Sequence, residues 1–198
     1  MRARLAGVFY LLTIALGVFG ESVTTAHNVA GAEQLFRVGM AADLTMLCAY
    51  VVVTCLLYEL FKPVDAGIAA LAAFFSIVGI ATLATFSLMH LAALTVADDA
   101  AAALAIRLHG MGYDVSDVFF GVYCLLIGWL IVRSTLVPKA VGALMAIAGC
   151  AYLANSFADF VLPALGRAMG DYALLPALIG ELALAFWLLI FGIKENRA

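Results

Sequence analysis

The sequence predicts an all-α protein, a polytopic integral membrane protein built as one bundle of six transmembrane helices over residues 1–198. Three observations predict it. Hydrophobic residues make up 67% of the chain and charged residues 12%, against about 45–50% and about 25% in ordinary soluble domains. The apolar residues gather in six runs, each near or above the roughly 20 residues that cross a hydrocarbon core about 30 Å thick. The few ionisable residues within those runs stand in helical register with small or polar neighbours.

The runs cover Leu5–Gly20, Val38–Phe61, Ala66–Val96, Val115–Val132, Ala140–Leu162 and Ala173–Ile193. A backbone in lipid must bond to itself, and the alternating pattern of a membrane barrel is absent, so each run is predicted to be helical. The first follows Arg2 and Arg4, as a signal peptide would, but no convincing small-x-small cleavage site comes after it. It reads as a retained helix. Pro63, Pro138, Pro163 and Pro176 fall at or near run boundaries, where helices tolerate proline. Between the third and fourth runs, "ADDAAAALAIRLHG" (Ala97–Gly110) reads as a short interfacial helix ended by Gly110, which leaves Asp117 to open the fourth span. Cys48, Cys55, Cys124 and Cys150 form no C-x-x-C pair and read as core-filling residues.

The Lys/Arg bias of the connections sets the orientation. Arg2, Arg4, Lys62, Arg133, Lys139, Lys194 and Arg197 fall on one side, and Arg37, Arg107 and Arg167 on the other. Both termini are therefore expected in the cytoplasm, with the bundle in a bacterial cytoplasmic (inner) membrane. A net charge of −3 with no basic run argues against a nucleic-acid partner.

With that orientation, Glu21, Asp43, His90, Asp117, Asp159 and Glu181 each fall in the outer half of one span. Tyr152, Asn155, Ser156 and Asp159 form one helical stripe. Glu21 is in line with Gly17, Ile14, Tyr10 and Gly7, and Asp117 with Gly121, Cys124 and Gly128. Small residues mark close approach of membrane helices, so these acids should point toward neighbouring helices. A carboxylate at a helix centre costs about 2.5–3.5 kcal/mol to insert. Gathering the acids around one water-filled, outward-facing pocket lowers that cost. Glu181, the deepest, is the strongest candidate for a functional role, and Arg37 is expected to be a counter-ion for one of the acids.

The predicted pocket is thus Glu21, Arg37, Asp43, His90, Asp117, Tyr152, Asn155, Asp159 and Glu181. Plainer roles compete with it. Asp117 and Asp114 would suit a helix start, Glu21 an interfacial position, Asp159 a bond to Asn155, and His90 a structural hydrogen bond. His27 and His109 are expected in solvent-facing connections. Glu59 can pair with Lys62 near the cytoplasmic face.

Several stretches together carry a resemblance: "ARLAGVFYLL" (Ala3–Leu12), "LFR" (Leu35–Arg37), Tyr58 ahead of "KPV" (Lys62–Val64), "FFGVYCLLIGWLIVRS" (Phe119–Ser134), Pro138, Gly142, "AGCAYL" (Ala148–Leu153), "GE" (Gly180–Glu181) and "WLLIFGIK" (Trp187–Lys194). With these the chain resembles the bacterial six-helix membrane proteins of domain-of-unknown-function family 4386. Residues Leu94–Leu108 match nothing in that pattern. The resemblance implies a six-helix integral membrane protein and no particular activity; Arg37 and Glu181 fall on its motif positions.

Three functions fit these readings. The first is binding or transport of a small solute or cation by a bilayer-embedded protein, plausibly as a homodimer because six helices are few for a full transporter. The second is an accessory or sensor subunit without chemistry of its own. The third is an intramembrane metal-dependent hydrolase, its ion on His90, Asp43 and Glu181. An enzyme is the less favoured reading, since neither H-E-x-x-H nor G-x-S-x-G is present. No cofactor is predicted; a metal ion is the one these residue types would accommodate. A haem would need axial histidines at membrane depth, where this reading places His90 alone.

Overall fold

A computed structural model describes residues 1–24 and 33–193. Its helices are α1 (Arg2–Thr24), α2 (Glu33–Phe61), α3 (Ala66–Phe86), α4 (Leu88–Thr95), α5 (Asp99–Arg133), α6 (Lys139–Val161), α7 (Pro163–Met169) and α8 (Leu175–Ile190), with a 3-10 turn at Gly170–Leu174 before α8. No strand occurs among the described residues. Six stretches are long and apolar enough to span a bilayer, α3 and α4 together making one of them. Their surface carries large apolar side chains such as Phe74, Phe157, Val161, Phe186 and Ile190. An aqueous surface would not tolerate so many, whereas acyl chains solvate them.

The spans close into a ring: α1 packs on α2, α2 on α3, α3 on α5, α5 on α6, α6 on α8, and α8 back on α1. Small residues set the close approaches. On α5, Gly121 and Gly128 meet Gly149 and Gly142 of α6 so closely that an added Cβ would strike the facing backbone. Gly7 of α1 lies against the backbone of α8, and Gly180 of α8 against that of α6. Backbones brought this near gain dispersion energy, which drives association where lipid removes the hydrophobic incentive. Two interhelical hydrogen bonds add register: Thr54 with Ser76 at 2.6 Å, and Ser116 Oγ donating to the Gly79 carbonyl at 2.9 Å. Tyr10, Tyr50, Phe120 and Tyr123 fill the interior in edge-to-face and tilted ring contacts.

The two ends differ. Met1, Arg4, Gly192 and Ile193 line one groove, so both ends of the described chain lie at the same end of the bundle. There Glu59 pairs with Lys62 at 2.8 Å, as expected, and with Arg2 at 3.6 Å. A second groove, of about 580 Å³, opens beside Arg2, Glu59 and Arg133.

Three expectations are corrected. The stretch after Ala97 is not a separate interfacial helix, because α5 runs from Asp99 to Arg133 without a break at Gly110. Asp98 caps its start by accepting the Ala101 N–H at 3.0 Å. Gly112, two residues on, is a packing residue: it lets the Phe86 side chain lie against α5, where any Cβ would collide with it. Asp117 therefore stands well inside a helix and caps nothing. The third span, by contrast, is interrupted at Ser87, whose hydroxyl bonds back to the Leu83 carbonyl at 3.0 Å, a pattern that bends helices. Of the cysteines only Cys124 is buried; Cys48, Cys55 and Cys150 face outward from the bundle.

Candidate functional site

Two polar clusters lie inside the ring. The first is built on the break at Ser87. The His90 N–H bonds to Ser87 rather than to Phe86, four residues back. The Phe86 carbonyl instead lies 3.2 Å from His109 Nδ1. A carbonyl can only accept, so Nδ1 carries the proton and His109 Nε2 presents a lone pair. That nitrogen faces Asp43 Oδ2 at 4.0 Å, and His90 Nδ1 faces the same oxygen at 3.8 Å. The two imidazoles stack with centroids 3.8 Å apart, Phe36 lying edge-on to His90 and Tyr113 to His109. Tyr113 donates to Asp43 Oδ1 at 3.4 Å. Gly20 of α1 makes room for the Asp43 carboxylate, which a Cβ there would overlap.

This cluster is closed to its surroundings: Asp43 is 1% exposed, His90 0% and His109 2%. Yet Asp43 Oδ2, both ring nitrogens of His90, and His109 Nε2 have no hydrogen-bond partner among the described residues. Buried polar atoms are nearly always paired. Four orphans at one point need a physical account.

The second cluster surrounds Glu181 on α8. Tyr10 and Tyr50 donate to Oε1 at 3.2 and 3.3 Å, and Tyr152 donates to Oε2 at 3.2 Å. One carboxylate thus ties α1, α2, α6 and α8 together. The Tyr123 hydroxyl, buried nearby, finds no partner among the described residues. At about 1.5 Å of rise per residue, Glu181 lies about 13 Å from the Ile190 end of α8, near mid-bilayer. Asp43 lies about 27 Å from the Phe61 end of α2 by the same measure, close to the opposite membrane face.

Asp117 is also buried, with Glu181, Glu21 and Asp114 among the acids in its surroundings. Glu21 in turn interacts with Asp43, and Asp114 with Asp159. Glu21, Asn155, Asp159 and Tyr152 are half-buried. Asp43, Asp117 and Glu181 lie buried in the packed interior. Arg37 is no counter-ion to them: it is exposed and bound to Glu33 one turn away at 2.8 Å, the shorter reach for a long side chain at the rim. Glu181 does not join His90 and Asp43 as a potential metal ligand, because the tyrosines hold it in the other cluster. His109 takes that place. His27 lies outside the described residues. A haem does not fit, since imidazoles stacked at 3.8 Å leave no room for a macrocycle between them.

His109, Tyr113 and Tyr50 are the residues that sequence reasoning missed. The signal for His109 was the buried stripe Ala105, His109, Gly112, Ser116, Phe120 and Tyr123, which keeps helical period straight through Gly110.

The fold and these clusters define a multi-pass membrane protein with an acidic, histidine-bearing interior. The chain belongs to the family described as "Domain of unknown function (DUF4386)", whose model matches residues 5–192. It is 33% identical over 147 residues to an "Uncharacterized protein" of Archaeoglobus fulgidus, covering 74% of this chain and 79% of that protein. Relatives therefore extend to archaea. No solved structure matches.

Proposed function

We propose that this protein binds a small cation within the half of the bundle remote from its termini, those termini being cytoplasmic. One observation carries the reading. Asp43, Asp117 and Glu181 are buried, each on a different helix, while every described Lys and Arg is exposed. A low-dielectric interior holding several carboxylates without a Lys or Arg partner is short of positive charge, and a cation supplies it. The Lys/Arg-rich end that bears the termini supports the orientation, and bacterial inner-membrane residence is the setting this reading assumes. Binding is the step the geometry supports; transport would follow if the ring opened toward both faces.

The test is the thermal stability of detergent-purified protein against a panel of Na⁺, K⁺, Mg²⁺, Ca²⁺, Zn²⁺ and Co²⁺. At least one ion should raise Tm in a saturable way, and Asp43→Asn should lose the response. Indifference to the whole panel would overturn the proposal.

A further inference from the structure

We propose that Asp43, His90 and His109 form a binding site for a divalent first-row transition-metal ion of zinc type. This rests on the cation-binding reading and names the class of ion.

The donor set is what such an ion takes. Imidazole nitrogen and carboxylate oxygen suit zinc and its neighbours, whereas magnesium, calcium and alkali ions prefer oxygen alone. The three residues offer one donor atom each, all within 4.8 Å of one another. Two ligands on one ion at about 2.1 Å lie about 3.4 Å apart in a tetrahedral shell. The observed 3.8 and 4.0 Å separations from Asp43 Oδ2 need only a small contraction to reach that value.

The local hydrogen bonding leads to the same ion. The Phe86 carbonyl holds the His109 proton on Nδ1, a second-sphere arrangement that fixes the tautomer and aims the Nε2 lone pair inward. That lone pair then confronts the Asp43 oxygen, an acceptor facing an acceptor with no donor between them. A metal ion turns this repulsion into two bonds. It also gives Asp43 Oδ2, His109 Nε2 and one nitrogen of His90 the partner that each lacks. Tyr113, bonded to Asp43 Oδ1, orients the carboxylate. The competing occupant is a proton, making an imidazolium beside Asp43.

The experiment strips full-length protein with a chelator in mild detergent, then titrates it with Zn²⁺ and Co²⁺. Elemental analysis after desalting should find about one metal per chain. Cobalt should develop the ligand-field absorption of a nitrogen- and oxygen-ligated ion, a readout that needs no variant. His90→Ala, His109→Ala and Asp43→Asn should each lower affinity at least tenfold, while Glu59→Gln, at the far end of the bundle, should leave it unchanged. Absence of stoichiometric metal and of the cobalt spectrum, or equal binding by the three variants, overturns the site. If Na⁺, K⁺, Mg²⁺ or Ca²⁺ still stabilises the wild type through Asp43, the cation reading survives without the metal. If no ion binds, both fall.

Discussion

Glu181 and Asp43 are both buried carboxylates in one ring of helices, and their surroundings differ in kind. Around Glu181, three hydroxyls from three helices point at its two oxygens. Around Asp43, one oxygen receives Tyr113 while the other meets two imidazole nitrogens beyond hydrogen-bond length. The Glu181 carboxylate finds its hydrogen bonds within the protein and holds helices together. The Asp43 cluster is complete only with something added. Depth alone made Glu181 the stronger functional candidate, and hydrogen-bond satisfaction reverses the ranking.

Substitutions can break or sharpen this contrast. Glu181→Ala should be the most damaging, because it strands the buried hydroxyls of Tyr10 and Tyr50, at about 1–3 kcal/mol each, and that of half-buried Tyr152; a loss of about 3 kcal/mol or more is expected in denaturation of metal-free protein. Gly112→Ala tests the scaffold of the other cluster, since its Cβ would meet Phe86. Overpacking costs about 1–3 kcal/mol, and displacement of the Phe86 carbonyl should weaken cobalt binding as well. Tyr10→Phe removes one donor from the Glu181 carboxylate, worth about 1.5 kcal/mol. Tyr123→Phe removes an unpartnered hydroxyl and should be close to neutral in the same assay. His90→Leu gives the sharpest contrast. Metal-free stability should be unchanged within about 0.5 kcal/mol or should rise, because the orphaned nitrogens are replaced by an apolar group of similar size. A large loss there would mean His90 is already satisfied in the apo protein, and the distinction between the clusters would fail. Arg37→Ala, removing an exposed i,i+4 pair, should cost less than about 0.5 kcal/mol.

Much of the fold was legible because bilayer insertion acts on local composition. Stripes such as Gly7–Tyr10 and Gly121–Gly128 correctly marked faces that meet other helices. The alanine-rich stretch was misread for a local reason: glycine is a poor helix former, and Gly110 looked like a stop. Packing against Phe86 overrode that propensity. His109 went with it, carried from an expected loop into a buried helix.

Six spans and a shared end for the termini were determined by the sequence alone, since hydropathy, helical period and charge bias are properties of neighbouring residues. Which acid meets which partner was decided only by tertiary structure. Tyr10 reaches Glu181 across 171 positions of chain, and Tyr113 reaches Asp43 across 70. The physical reason is that a helix fixes direction and depth but not its rotation against its neighbours. Glycine contacts and the break at Ser87 set that rotation, and it brings two histidines and an aspartate to one point.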